Sequence, residues 1–490
     1  MLLRNVILFT LLVLPLLSVL LLTTVPTTAN KKLKQSTLVF SCLIFELSLL
    51  LWFFFDNSTG VFQFTIKFIW IPLLNLNFIL GVDGISLFFI LLTALLTPIC
   101  LLTSWNTINH NLKDFLISFM FLEFFLIGVF CILDLLVFYI FFECVLIPMF
   151  LIVGIWGSRE RKIRAAYFFF LYTLLGSVLM LLAILYVYYQ TGTTDYEVLL
   201  SINFTKLEQK ILWLSFFASF AAKIPMLPVH LWLPEAHVEA PTSGSVVLAG
   251  VLLKLGTYGF IRFSLPLFPY ASFFFSPIVY TIAAAGVVYT SFTAMRQTDF
   301  KRIIAYTSVA HMNLVIIGIF SFTIIGLEGA ILQSLSHGFV ASALFLIIGV
   351  VYERYHTRMV KYYGGLVHTM PIFILIFLIF TLANIGLPGT SSFIGEFLIL
   401  LGSFQVNPSV TLVGALGMIL GGCYALWLFN RIAYGNLKVH YIKAYTDINK
   451  REFYIFLPLI FGTIFLGIYP DIVLQSLHMS VNFLIEIMYF

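Results

Sequence analysis

The stretch Phe216–Phe263 reads FFASFAAKIPMLPVHLWLPEAHVEAPTSGSVVLAGVLLKLGTYGFIRF, and it sets Lys223 and Lys254 inside runs that are otherwise apolar. Between the two lysines lie four prolines, two glutamates and two histidines. A lysine at the centre of a bilayer costs roughly 2.5–3.5 kcal/mol on insertion scales, so a plain anchor helix has no use for two. Helix breakers follow each one: Pro225 and Pro228 after the first, Gly256 and Gly259 after the second. Proline removes a backbone donor and frees carbonyls one turn back. Inside a membrane such backbone survives only where protein or a watery cavity satisfies it. Buried lysines beside broken helices predict an ion or proton path near the bilayer midplane.

Outward from that stretch, composition excludes most other classes. Of 490 residues, 61% are hydrophobic and 10% charged, where soluble domains carry about 25% charged residues. The chain therefore reads as an all-α polytopic membrane protein. Cys42, Cys100, Cys131, Cys144 and Cys423 lie far apart without a CxxC pair, so an iron–sulfur cluster, a zinc site and a disulfide framework are unsupported. There is no GxGxxG or phosphate loop, hence no support for a nucleotide site. The net charge of +5 does not point to nucleic acid, because in a membrane protein the placement of Lys and Arg carries the information. Leu2–Thr24 is long enough to span and is expected to be a retained first helix rather than a signal peptide.

At about 20 apolar residues per span, about fourteen helices are predicted, from one centred near Val13 to one near Phe465. The run Val61–Leu80 is broken by Gln63, Lys67, Pro72, Asn75 and Asn77 and is expected to be an extended or hairpin-like loop. On this topology the odd-numbered loops carry 19 Lys and Arg and the opposite side 5, with Lys223 and Lys254 set aside from the total of 26. That bias puts the odd loops on the positive-inside face and both termini on the other. A missed span would flip every later loop and destroy the bias, so the count supports the helix number too. Helix seven breaks after Lys223, and helix twelve breaks around IGLPGTSSFIGEF, ahead of Glu396. Two broken helices five spans apart are what an inverted repeat of five helices produces. The expected organisation is a single membrane domain: 1–110 for helices one to three, 111–265 and 266–435 for the two repeats, and 436–490 for a loop, helix fourteen and a tail.

Ionisable groups in apolar surroundings are functional by default. The set is Glu46, Glu123, Glu143, Lys223, Lys254 and Glu396, with His311 and His337 in the tenth and eleventh spans. Glu143 has no neutralising neighbour in its own helix, and Lys223 is the first choice of partner, since an opposite charge offsets the desolvation of each. Such a pair serves either as a proton-release switch or as a structural lock between helices. Glu46 lies outside the repeats and reads as structural or as an interface residue; Glu123 fits either role. His311 and His337 are satisfied core histidines or a relay, and their place between Lys254 and Glu396 in chain order favours the relay. His230 and His237 are expected at the helix mouth with Glu235 and Glu239. Haem ligation by the histidines would leave the lysines and glutamates unexplained.

PEAHVEAPTSGSVVLAGVLLKLGTYG, GSRERKIRAAYFFFLYTLLGS, IAYTSVAHMNL and LANIGLPGTSSFIGEFLIL resemble the antiporter-like membrane subunits of the proton-pumping NADH:quinone oxidoreductases, respiratory complex I, over nearly the whole chain. Within that family Glu396 separates this chain from the chain 5 type, which carries lysine there and a long C-terminal extension. The related monovalent cation/proton antiporter subunits share most of the motifs, so a secondary antiporter without a redox partner is the competing class. The resemblance implies a fourteen-helix fold with two inverted five-helix repeats. It implies that Glu143 and Lys223 act as a coupled pair, Lys254 as the central bridge, His311 and His337 as relay groups and Glu396 as the terminal proton carrier, with Glu123 a weaker carry-over. It also implies a multi-pass place in the mitochondrial inner membrane, antiporter-like chains 2 and 5 as neighbours, and no redox centre in this chain. FMN, iron–sulfur clusters and ubiquinone would belong to partner subunits.

Overall fold

A computed structural model describes residues 2–438 and 446–489, so Lys443, counted above among the basic loop residues, lies outside the described residues. Two long helices open the chain, α1 (Leu2–Thr24) and α2 (Asn30–Phe53). The polar-broken run that follows is an antiparallel hairpin of β1 (Gln63–Ile71) and β2 (Leu76–Val82), turned through Pro72 and a left-handed Asn75 at φ 49°. Pro72 supplies a fixed φ and Asn75 tolerates the left-handed region, which is why this segment turns instead of spanning. Asp83 then starts α3 (Gly84–Thr103): its carboxylate accepts from the Ser86 N–H and Ser86 Oγ accepts from the Asp83 N–H, both at 3.0 Å. Such a reciprocal box satisfies two donors that a helix start leaves open.

The spans α4 (Leu112–Cys131), α5 (Leu135–Trp156) and α6 (Lys162–Thr191) follow. Helix α7 (Lys206–Lys223) begins at a Thr205–Glu208 capping box and stops at Lys223, where Pro225 and Pro228 prevent continuation; the chain re-forms α8 (Trp232–Glu239) beyond the break. Helix α9 (Thr242–Leu267) runs without interruption, wholly buried, which corrects the expectation that Gly256 and Gly259 break it. These glycines provide closeness instead. A Cβ on Gly256 would lie 2.9 Å from the Phe220 carbonyl oxygen, and one on Gly259 would strike the Phe220 ring. Two widened π-turns, Leu248–Leu252 and Phe260–Ser264, flank the Lys254 segment.

The second half contains α10 (Pro269–Arg296), α11 (Phe300–Ile319) and α12 (Ile324–Tyr355), then the broken pair α13 (Pro371–Ile385) and α14 (Ser391–Val406), then α15 (Pro408–Ala433) and α16 (Lys450–Ile468). Gly386 and Gly389, at φ 82° and 93°, make the α13–α14 break, positions at which a side chain would be strained. Counting each broken pair once gives fourteen crossings among the described residues. Contacts between loops respect their parity. On the basic face, Lys34 Nζ donates to the Trp105 carbonyl oxygen (2.5 Å), Ser158 N–H to that of Glu239 (3.0 Å), Phe300 N–H to that of Arg358 (2.9 Å) and Gly365 N–H to that of Tyr434 (3.0 Å). On the opposite face Lys67 pairs with Asp195 (3.0 Å) and Thr194 donates to Asp134 (2.6 Å).

The expected C-terminal tail is a further helix, α17 (Asp471–Tyr489). Among the described residues it is one of 13 helices long and apolar enough to cross a membrane, yet its contacts put it flat on the face opposite the basic loops. Ser476 reaches Asn57, Ser480 Oγ accepts from the Gly84 N–H at 3.0 Å, His478 meets Glu328 at 2.8 Å, and Tyr489 packs on Phe273. Those partners are the starts of α3, α10 and α12 and the loop after α2, all on one side. Val473, Leu477, Val481 and Leu484 are buried, while Gln475, His478 and Asn482 lie on other faces of the helix. This apolar stripe belongs to a helix lying on a surface.

Candidate functional site

Helices α9 and α12 are the most buried in the bundle, and the candidate residues gather where they meet α11 and α14. Lys254 is fully buried; its ammonium donates to the Ala249 carbonyl oxygen at 2.5 Å and lies 2.8 Å from His337 Nδ1 on α12. Ala249 sits in the first π-turn, a geometry that leaves a carbonyl free of the regular ladder and that recurs at functional positions. The His337 ring faces that of His311 on α11, with centroids 6.0 Å apart. His311 Nδ1 lies 3.0 Å from Glu396 Oε1, and Gln333 Nε2 donates to the same oxygen at 2.9 Å. Glu396 stands in the second turn of α14 because the break at 386–390 starts that helix at mid-bundle, and Ser392 ties the break by donating to the Ala383 carbonyl oxygen.

Four of the residues singled out in the sequence therefore form one line, Lys254–His337–His311–Glu396. Its middle step is open: the Nε2 atoms of both histidines are buried without a hydrogen-bond partner. A histidine binds a proton on one ring nitrogen and releases it from the other, so turning either ring can close this step. A small cavity beside His311 and Glu396 is lined by Gly414, Gly417 and Gly421 of α15.

The other expected pairing does not form directly. No ion pair within 4 Å joins Glu143 and Lys223 among the described residues; Lys223 Nζ donates to the Phe142 carbonyl oxygen at 2.9 Å and lies 3.8 Å from the Phe142 ring centroid. Phe142 stands one residue before Glu143, so the two charges are neighbours across α5 and α7, while Glu143 Oε1 is buried and unpartnered. The reason is the position of Lys223 as the last residue of α7: its ammonium reaches a carbonyl in the turn next to the carboxylate. No hydrogen bond connects Lys223 to Lys254. Glu123 is buried on α4 beside Thr97 of α3, and among the described residues no ion pair joins it to another candidate. Glu46 is exposed on α2, facing outward from the bundle.

The expected helix mouth is corrected in part. Glu235 is half-exposed and paired with Arg302 at 2.5 Å, but His230, His237 and Glu239 are all buried. The prolines that suggested a mouth fold α8 back into the bundle instead. His237 stacks on Phe345 with centroids 4.4 Å apart, and neither ring nitrogen has a partner. Sequence reading also missed Lys301, Gln333 and Arg262. Lys301 is buried and donates to the Ala240 carbonyl oxygen at 2.6 Å, and Arg262 is buried against Asp83. Lys301 and Arg262 were counted as loop charges because each stands near a helix end. Gln333 carries no charge to reveal it.

A bundle with two interrupted spans and a Lys–His–His–Glu line in its interior, His311 alone partly exposed, sets the chain in the class of polytopic membrane proteins with ionisable groups inside. Residues 132–421 match the family model described as NADH:quinone oxidoreductase/Mrp antiporter, transmembrane. A chain from Chondrus crispus named NADH-ubiquinone oxidoreductase chain 4 is 58% identical over 96% of both sequences, and its Marchantia polymorpha counterpart is 57% identical over 97% of this chain and 96% of that one. Among solved structures, a chain of respiratory complex I from Thermus thermophilus with bound NADH superposes with a TM-score of 0.89 at 29% identity, covering 98% of this chain and 99% of that one. An archaeal membrane-bound sulfane sulfur reductase chain shares the fold, with a TM-score of 0.85 at 21% identity over 95% of this chain and 77% of that one. The chain belongs to the NADH-ubiquinone oxidoreductase chain 4 family.

Proposed function

We propose that this chain is the proton-translocating, antiporter-like subunit in the membrane arm of an NADH:ubiquinone oxidoreductase. In this reading it couples NADH-to-ubiquinone electron transfer in partner subunits to proton pumping. The observation that supports it most is the line of ionisable groups from Lys254 through His337 and His311 to Glu396, of which only His311 is partly exposed. In the proposed path Glu143 and Lys223 act as a coupled pair near its start and Lys254 bridges the two halves. The histidines relay, and Glu396 is the terminal carrier. Glu123 is a buried acid beside the path with a lesser part. Residues 111–265 and 266–435 are two five-helix repeats of inverted topology, a reading supported by the breaks at the corresponding α7–α8 and α13–α14 positions. The chain sits in the mitochondrial inner membrane between the antiporter-like chains 2 and 5. FMN, the iron–sulfur clusters and ubiquinone belong to partner subunits, in keeping with cysteines too scattered in sequence to form a cluster.

Lys254→Met tests the reading. The variant should assemble with a flavin- and iron–sulfur-containing enzyme and lose proton transport in reconstituted vesicles. Purification of the wild-type chain with cation/proton antiporter components and no redox enzyme would overturn the proposal.

A further inference from the structure

One and two turns beyond Lys254 on the same face of α9, toward the side opposite the basic loops, stand Tyr258 and Arg262. Eight residues separate Lys254 from Arg262, about 12 Å along the helix. Arg262 is deeply buried and holds Asp83, itself buried at the cap of α3, at 2.5 Å. Its Nε donates to the Tyr258 hydroxyl at 3.2 Å, and that hydroxyl donates to the Phe130 carbonyl oxygen at 3.1 Å. Rings close around the guanidinium: the Phe62 centroid is 4.9 Å away, Tyr258 5.3 Å and Tyr196 5.9 Å. Tyr258, Arg262 and Asp83 thus place linked polar side chains on the segment of α9 that leads from Lys254 toward the opposite face. The Lys254 ammonium itself turns the other way, to Ala249 and His337.

Stability is a weak reason for this arrangement. Replacing a buried ion pair by well-packed apolar groups is often neutral or stabilising. A fixed guanidinium does something an apolar plug does not. It is effectively always protonated, so it cannot pass a proton on, and a buried positive charge in a polar channel raises the barrier to further cations and protons. Resting on the proton-path reading of Lys254, we propose that Arg262, set by Asp83 and the ring collar, is an electrostatic plug that closes the direct route from Lys254 to the opposite face. The only way onward is then sideways through His337. Arg262 is a positioning residue: it neither carries the proton nor touches the line, and it acts by making the short path impassable.

The test uses the assembled enzyme in vesicles without NADH, with an imposed pH gradient and an internal pH dye. Arg262→Gln with Asp83→Asn removes the charge without leaving a lone carboxylate. The gradient should decay several-fold faster than in wild type, and adding Lys254→Met should restore tightness, since the leak runs through Lys254. Asp83→Asn alone keeps the guanidinium and should stay tight. An assembled Arg262→Gln, Asp83→Asn enzyme as tight as wild type overturns the proposal, as does a leak that Lys254→Met leaves undiminished. Should the double variant fail to assemble, Arg262→Gln alone, with the Asp83 cap intact, carries the same two expectations. Pumping by Lys254→Met is scored separately under NADH, so failure of the path reading appears there and not in the leak assay.

Discussion

A single side chain decides what Glu143 does. Its Oε1 atom is buried without a hydrogen bond, and Lys223 lies beyond 4 Å, bonded to the carbonyl of the residue before it. At 4 Å and an effective dielectric near 20 two unit charges attract by about 4 kcal/mol, and the attraction falls with separation. On the proposed switch role, this spacing is the loosened state, and a small approach of α5 to α7 would change the interaction without breaking another ion pair. Glu143→Gln removes the charge at constant shape and should abolish coupled proton transport while peripheral NADH oxidation persists. Glu143→Asp keeps the charge on a shorter stem and should retain part of the activity. Equal protons per electron in Glu143→Gln and wild type would reduce the pair to a lock between helices. The identities of these residues were legible because a charge in an apolar run has few explanations. Their contacts were not, since whether an ammonium meets a carboxylate or the adjacent carbonyl depends on a few ångströms of helix placement.

At the scale of elements, the breaks and the close approaches carry the design. Proline gave away the α7–α8 break, where Pro225 and Pro228 stand close together, and the Pro388 region gave away that between α13 and α14, whereas the single prolines Pro98 and Pro277 stay inside α3 and α10. Glycine misled at 256 and 259, since the same residue serves to break a helix or to admit a neighbour. Gly256→Val tests the second role: its branches would collide with the Phe220 carbonyl and Ile224. Overpacking of this kind costs about 1–3 kcal/mol, so the yield of assembled enzyme should fall; an undiminished yield with unchanged melting would show that α7 and α9 are not tightly apposed there. The segment of α17 read as a tail because its apolar stripe covers one face only and lacks the all-round hydrophobicity by which spans are recognised. Ser480→Val should loosen it by about 1 kcal/mol through loss of the bond to the Gly84 N–H, read as faster amide exchange across α17.

For the whole molecule, the asymmetry of 19 to 5 basic residues and the parity of loop contacts describe the same fourteen crossings by independent means. Cysteines placed at Lys32 and Arg161 should react with impermeant reagents from one side of the membrane and a cysteine at Lys206 only from the other; labelling of Arg161 and Lys206 from a common face would remove the topology on which the path rests. The lateral line from Lys254 to Glu396 is the central claim, and its bridge must exchange a proton rather than hold a charge. The ratio of protons moved to electrons transferred by Lys254→Arg in reconstituted vesicles addresses that directly. Guanidinium is effectively always protonated, so the account predicts a ratio as low as that of Lys254→Met. A wild-type ratio in the arginine variant would make Lys254 an electrostatic fixture and contradict the account.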